Sequence, residues 1–190
     1  PLSNLDAKLR RQVREDIREI QQKLGVTTIY VTHDQEEALA ISDKVIVMNN
    51  AVIAQEGSPK ALYNFPRNKF VANFIGDANV VKAEIINKNS NSYDIKIAEM
   101  NIKIQSDNEL NGDISVALRP EKISIDRNKG DNCIQATVNN ASFVGSSYQY
   151  ILNSNVGKLY VVSGDTNDIF KVGEEVFLSI NEQEVKILND

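Results

Sequence analysis

Apolar residues recur every three or four positions at the start of the chain, with charged residues between them. The recurring positions are Leu5, Leu9, Val13, Ile17, Ile20 and Leu24. This spacing predicts an amphipathic helix, and Gly25 directly after it is a typical C-terminal stop. The β-branched and apolar run at residues 26–32 then predicts a strand buried in a parallel sheet.

His33 and Asp34 follow this run, so we expect the histidine at the carboxyl end of the strand. Asp34 is expected to cap a helix over residues 35–42, and Glu37, three positions later, supplies the reciprocal half of a capping box. A short apolar strand at residues 44–48 should return through a turn at Asn49 and Asn50.

Two short helices are predicted next. Ser58 and Pro59 supply a capping hydroxyl and a proline at the first helical position, and Phe65 followed by proline ends that helix. A second helix is expected over residues 69–75. The elements up to this point contain too few strands for a complete α/β sheet, so the first part is interpreted as an α/β fragment.

From residue 77 onward, apolar residues alternate with polar ones between clusters of Asn, Gly and Asp. The alternating sets are 95/97, 102/104, 114/116/118, 123/125, 134/136/138 and 176/178/180. They predict half-buried antiparallel strands, and their close spacing favours an OB-like barrel. We therefore place a domain boundary at Gly76, with domains at residues 1–76 and 77–190.

The composition narrows the possible functions. The net charge is −5 with 6% aromatic residues, and residues 76–190 carry eleven basic against seventeen acidic residues. Duplex nucleic acid and polybasic membrane binding both need a positive surface, so protein partners are favoured. Cys133 is the single cysteine, and no apolar run approaches the roughly 20 residues of a membrane span, so we expect a soluble intracellular protein without an internal disulfide.

Three motifs resemble importer ATPases of the ATP-binding-cassette (ABC) type. Residues 1–6 (Pro-Leu-Ser-Asn-Leu-Asp) resemble their D-loop, and residues 30–38 (Tyr-Val-Thr-His-Asp-Gln-Glu-Glu-Ala) resemble their switch-histidine segment. Residues 118–121 (Leu-Arg-Pro-Glu) resemble the signature of the TOBE domain in ATPases of maltose, polyamine and ferric-iron importers. The resemblance implies the end of a P-loop NTPase domain followed by an all-β, OB-like TOBE barrel with a regulatory role.

The same resemblance assigns roles to two residues. It implies that His33 contacts the γ-phosphate of ATP as a catalytic residue and that Asp6 faces the nucleotide site of the opposing subunit. ATP and Mg²⁺ would be the cofactors of the full-length protein, and no metal ligand is expected in this chain. The implied partners are a second ATPase subunit, as homodimer or pseudo-dimer, and membrane permease subunits at the cytoplasmic face. Nucleic acid is not expected as a partner.

The sequence contains no G-x-x-x-x-G-K-[ST] stretch, which cradles phosphates in such ATPases. In the family, the magnesium-binding aspartate and the catalytic glutamate directly precede the D-loop, with which this sequence opens. We therefore expect the 190 residues alone to be inactive. The transported solute is not indicated.

Simpler readings remain for each motif. His33 could satisfy a structural hydrogen bond at a strand end, and Asp6 could be a charge at a helix N-terminus. Arg119 and Glu121 could form a surface pair of structural importance only. A small-oxyanion-binding TOBE module or an OB-type binder of single-stranded nucleic acid are the alternative functions. The acidic second part and the lack of an obvious basic cluster disfavour both.

Overall fold

The computed structural model describes residues 7–189, and its contacts divide the chain into two compact units, residues 1–65 and 66–190. The elements of the first unit are α1 (Ala7–Leu24), α2 (Gln35–Ile41), β1 (Val45–Asn49), β2 (Val52–Gly57) and α3 (Pro59–Asn64). None of the helices within residues 7–189 is long and apolar enough to cross a membrane.

The predicted first helix and its stop are confirmed. Gly25 follows α1 with φ +64°, a left-handed conformation that costs glycine little, and its amide donates to the carbonyl of Gln21 at 3.0 Å. The predicted hairpin is confirmed as well, but its turn lies one residue later than expected, because Asn49 is the last residue of β1 and pairs with Val52. Asn50 and Ala51 form the two-residue turn, and both have positive φ, as the twist of a tight hairpin requires.

The strand predicted at residues 26–32 is wrong for the described structure. These residues belong to no strand or helix, and Ile29 and Val31 are each 88% exposed. A β-strand forms only when its backbone N–H and C=O groups hydrogen-bond to a neighbouring strand. Within residues 7–65, β1 and β2 pair with each other and not with this segment.

The second unit contains α4 (Lys69–Phe74) and, within residues 66–189, ten strands in two five-stranded antiparallel sheets. The first sheet has the order β12-β6-β3-β4-β5, and the second has the order β10-β9-β8-β11-β7. The strands are β3 (Asn79–Asn89), β4 (Ser92–Ile97), β5 (Met100–Gln105), β6 (Asp113–Leu118), β7 (Ile123–Asp126), β8 (Ile134–Phe143), β9 (Tyr148–Ser154), β10 (Gly157–Ser163), β11 (Glu175–Ile180) and β12 (Lys186–Leu188). Short 3-10 helices occur at Pro120–Lys122 and Glu182–Glu184.

Both sheets contribute to one apolar core. Its largest fully buried side chains include Tyr93 and Ile95 from the first sheet and Tyr150, Leu152 and Leu159 from the second. Every alternating set identified in the sequence lies in a strand, so the mainly β architecture is confirmed and is consistent with an OB-like TOBE domain.

A buried carboxamide joins the two sheets. The Asn79 side chain, on β3, donates to the carbonyl of Tyr160, on β10, at 2.7 Å and accepts from the Tyr160 amide at 2.6 Å. This is the pairing that a neighbouring strand would make, supplied by a side chain. It satisfies backbone groups that would otherwise be buried without partners.

Arg119 fastens α4 to the β structure. Its Nη1 donates to the carbonyl of Ala72 at 3.2 Å and to that of Ile75, and the residue is only 4% exposed. Arg119 is therefore buried and not at the surface, whereas the structural role expected for it is confirmed, because its guanidinium binds the last carbonyls of a helix. Helix α4 thus belongs to the second compact unit, whereas the predicted boundary at Gly76 lies after it. That domain assignment stays a prediction.

The outer strand of the first sheet, β5, has side chains bonded to its open edge. The Asn132 carboxamide accepts from the Asn101 amide at 2.7 Å and donates to the Asn101 carbonyl at 2.7 Å. The Glu182 carboxylate accepts from the Lys103 amide at 3.3 Å. These contacts occupy backbone groups on the side of β5 that faces away from β4.

Candidate functional site

His33 lies in the turn between residues 26–32 and α2, with its side chain exposed. It is therefore accessible to a ligand. Its two chain neighbours, Thr32 and Asp34, are both partly buried and hydrogen-bonded. Asp6, the other residue assigned from the resemblance, lies outside the described residues, and its role stays a prediction.

Asp34 caps α2 as the sequence predicts. Its backbone is extended, and its Oδ1 accepts from the amide of Glu36 at 2.8 Å and from that of Glu37 at 3.2 Å. These bonds satisfy two of the amides that a helix leaves unpaired at its start. The turn therefore ends in a fixed helical cap directly after His33.

Glu37 has a different role from the one expected of a capping box. Its Oε2 accepts from the Thr32 hydroxyl at 2.7 Å and from the Tyr30 hydroxyl at 3.1 Å. The Asp34 amide, the expected partner in a capping box, donates instead to Thr32 Oγ1 at 2.9 Å. Burial raises the pKa of Tyr30, and the bond to Glu37 raises it further, so the phenol stays protonated as a donor at neutral pH.

Two arginines of α1 face the start of α2. Arg14 lies 3.7 Å from Asp34 Oδ2, 3.4 Å from Glu36 Oε2 and 3.9 Å from Glu37 Oε1, and its side chain is mostly buried. Arg10 adds a longer contact of 4.0 Å to Asp34 Oδ2. The acidic start of α2 is thus neutralised by cations of the preceding helix.

A third arginine, Arg18, binds the other end of α2. It donates to the Ile41 carbonyl at 3.1 Å and to the Asp43 carboxylate at 2.6 Å. The hydrogen bond from Arg18 lowers the pKa of Asp43, and the same bond raises the pKa of Arg18. Helix α2 is therefore held against α1 at both ends.

The sequence did contain a signal for these contacts. Arg10, Arg14 and Arg18 are spaced four residues apart, which places them on one face of a helix. In the amphipathic pattern these arginines are simply charged residues between the apolar positions, and no partner was predicted for them. No sequence pattern pointed to the hydroxyl partners of Glu37, because Glu37 was already explained as part of a capping box.

The arrangement offers one exposed imidazole on a rigid support. It contains one contact suited to a phosphate oxygen, but no loop of backbone amides that would cradle a nucleotide, since that motif is missing from the sequence. Within residues 7–189, no cluster of three or more His, Cys, Asp or Glu side chains could hold a metal ion. An exposed imidazole can donate to a phosphate oxygen, so His33 is compatible with the contact expected of it, and that role stays a prediction.

The comparisons with known proteins agree with one another. Residues 116–188 match the TOBE domain. The whole chain is 37% identical to the Fe(3+) ions import ATP-binding protein FbpC of Agrobacterium fabrum and 39% identical to that of Brucella melitensis, and it covers 53% of each. It is 38% identical to FbpC of Fusobacterium nucleatum and covers 51% of that protein. The chain thus spans about half the length of these curated relatives.

Among solved structures, the cytoplasmic molybdate-binding protein ModG, with molybdate bound, matches with a TM-score of 0.47 and 12% identity. That match covers 56% of this chain and 92% of ModG. The TOBE match and the similarity along the whole chain agree with each other: the chain resembles importer ATP-binding proteins throughout its length, and its residues 116–188 resemble a TOBE domain.

Proposed function

We propose that this chain is part of an ATPase subunit of a bacterial solute importer, in which ATP hydrolysis is coupled to uptake. The supporting observation is the exposed His33 on a turn held by α1 and α2, in a chain similar throughout to importer ATP-binding proteins. In this proposal, residues 1–76 end the nucleotide-binding domain, and residues 77–190 form the regulatory TOBE domain.

The proposed role of His33 follows from the charge that develops in phosphoryl transfer. Negative charge spreads over the equatorial oxygens of the γ-phosphate, and a fixed donor beside them stabilises the transition state. ATP and Mg²⁺ would supply the phosphoryl group and neutralise its charge in the full-length protein. His33 would hold a proton toward one γ-phosphate oxygen, and Asp6 would face the nucleotide site of the opposing subunit.

The proposed assembly has two ATPase subunits, as homodimer or pseudo-dimer, bound to membrane permease subunits at the cytoplasmic face. Fe³⁺ is the first solute to test, because the relatives are named for its import. Measuring ⁵⁵Fe³⁺ uptake against sugar and polyamine uptake, in cells with and without the subunit, would identify the solute.

The 190-residue chain alone is expected to be inactive. Phosphate affinity in P-loop ATPases comes chiefly from the loop and its lysine, and this sequence contains neither. Calorimetry with Mg-ATP should detect no tight binding, and a phosphate-release assay should detect no turnover. Binding at micromolar ATP would contradict this proposal.

His33→Ala in the full-length subunit tests the catalytic assignment. By analogy with the loss of one oxyanion donor, turnover should fall roughly 10²–10³-fold, about 2.7–4 kcal/mol in the barrier. ATP affinity should change much less, because the contact is strongest in the transition state. Steady-state hydrolysis, ATP binding and melting temperature should be measured together.

Lys129→Ala is a suitable control, because Lys129 is exposed and lies in the other compact unit. It should leave all three quantities unchanged. If His33 were only structural, its alanine variant would melt earlier yet hydrolyse ATP normally once folded. A well-folded His33→Ala subunit with normal turnover would refute the assignment.

A further inference from the structure

A short series of hydrogen bonds encloses His33 from both sides. The Thr32 hydroxyl donates to Glu37 Oε2 at 2.7 Å and accepts from the Asp34 amide at 2.9 Å. The residues before and after His33 are thus joined through one hydroxyl, and that hydroxyl is anchored on α2. The imidazole itself is exposed, so its position depends on the backbone that these bonds fix.

We propose that Glu37 is the positioning residue of this turn: it holds Thr32, and through Thr32 the backbone at Asp34, so that His33 is presented in one orientation. Glu37 does not itself touch the nucleotide in this proposal. The catalytic consequence rests on the proposed function, whereas the ordering of the turn does not.

Glu36, the next carboxylate along the chain, shows why Glu37 is singled out. The Glu36 side chain is 79% exposed, and the side-chain contact described for it is to Arg14 at 3.4 Å. The Glu37 side chain is 7% exposed and accepts from two hydroxyls. Hydrogen bonds in buried surroundings are stronger than those in water, so loss of Glu37 should have much the larger effect.

The surroundings of Glu37 fit this role. The Tyr30 hydroxyl is a second hydrogen-bond donor to Glu37. The Arg14 guanidinium lies 3.9 Å from the other carboxylate oxygen of Glu37. The carboxylate thus connects α1, residues 26–32 and α2 at one point. If the His33 imidazole is held in place in this way, it need not reorganise when charge develops on the substrate. Such preorganisation is the condition for efficient electrostatic catalysis.

Backbone dynamics of the 190-residue chain test the ordering directly. The ¹⁵N order parameter of the His33 amide should lie near about 0.85 in the unchanged chain and below about 0.6 in Glu37→Ala. Glu37→Gln should retain most of the order, because its amide oxygen still accepts from the hydroxyls. Glu36→Ala, the matched control, should leave the order parameter unchanged.

Each other result overturns the proposal. A low order parameter in the unchanged chain would mean that the turn is not held. An unchanged value in Glu37→Ala, or an equal drop in Glu36→Ala, would mean that Glu37 has no special part in holding it.

Thr32 provides a second pair of variants in case Glu37→Ala fails to fold. Thr32→Val removes the hydroxyl with little change in size, whereas Thr32→Ser keeps it. Loosening at the His33 amide in Thr32→Val, restored in Thr32→Ser, supports the proposal. Equal behaviour of the two variants contradicts it.

A double-mutant cycle in the full-length ATPase tests the catalytic consequence. Glu37→Ala should lower kcat roughly tenfold to hundredfold with little change in KM, since misplacement of a catalytic group by 1 Å can cost about 10²-fold. In a His33→Ala background, Glu37→Ala should cause no further loss, because its effect passes through His33. Additive losses would overturn the positioning role. If His33→Ala alone leaves turnover normal, the proposed function fails, and the order parameters still decide whether Glu37 orders the turn.

Discussion

The two compact units differ in how completely they bury their own apolar residues. In the first unit, Ile29 and Val31 are almost fully exposed, and residues 26–32 pair with no other strand of the described structure. In the second unit, Leu152 and Tyr150 are fully buried between two sheets. The difference shows that the same kind of β-branched sequence becomes a strand only where the chain supplies a hydrogen-bonding neighbour.

The largest expected difference is in independent folding. Residues 66–190 should give a β-type circular dichroism spectrum and melt cooperatively, because their core is closed within the unit. Residues 1–65 should show no cooperative melt, because they leave large apolar side chains exposed. Circular dichroism melts of the two separate pieces test this.

A shorter piece, residues 77–190, sharpens the experiment and tests the predicted domain boundary. It lacks α4, so Arg119 would lose the Ala72 and Ile75 carbonyls that now accept from it. The piece would also lose the packing of Ala72 against Ala117 and Leu188. It should therefore melt at a lower temperature than residues 66–190. Equal melting temperatures would support a domain that begins after Gly76.

Single side-chain truncations should show the same difference between the two units, with a smaller effect on the free energy of unfolding. Leu152→Ala removes a fully buried side chain and should cost about 2–5 kcal/mol of unfolding free energy. Ile29→Ala changes a side chain that is already exposed, so its effect should stay within about 0.5 kcal/mol. Urea unfolding of the 190-residue chain, followed by fluorescence of its tyrosines, measures both. Equal costs would mean that residues 26–32 are packed in solution.

The smallest expected effect is on the stability of the fold at acid pH. Glu174 accepts from the Lys171 amide at 2.7 Å and from Arg127 Nε at 2.6 Å, and these bonds lower its pKa, the Lys171 amide most strongly. A depressed carboxyl pKa stabilises the fold above the ordinary value of about 4.3, and this contribution is lost as the pH falls below it. Because the side chain is partly exposed, the effect should be under about 1 kcal/mol.

Glu174→Gln makes this prediction measurable. The variant should be slightly less stable than the unchanged chain at pH 7, and the difference should shrink as the pH falls through the lowered pKa of Glu174. Glu84→Gln, at an exposed position of β3, is the control and should show no such trend. A difference that does not shrink with falling pH would show that charge is not the cause.

Much of the second unit could be predicted because its strands expose one face to the core and the other to water. Strand β5 shows this alternation clearly, with buried and exposed residues in strict succession. Strands β3, β9, β10 and β12 contain none of the predicted alternating sets. In β9, large side chains such as Tyr148 and Ile151 stand at positions that are only partly buried. Hydrophobic pattern alone cannot separate a partly buried tyrosine from a core residue.

The candidate site was predicted less completely than the fold. The helix cap at Asp34 depends on residues three positions apart, so the sequence was sufficient to find it. The bonds from Tyr30 and Thr32 to Glu37 depend on the path of residues 26–32, for which the sequence pattern predicted a strand that the structure does not have. The contacts of Arg14 depend on the packing of α1 against α2, which no local pattern specifies.

The side chains on the edge of β5 also affect how separate molecules meet. An incoming strand would have to displace Asn132 from Asn101 and Glu182 from Lys103 before its own backbone could pair there. These hydrogen bonds would have to break before the new strand could pair, which makes edge-to-edge association less favourable. This edge is therefore a poor starting point for fibril growth, and the chain should reach high concentration without polymerising through this sheet.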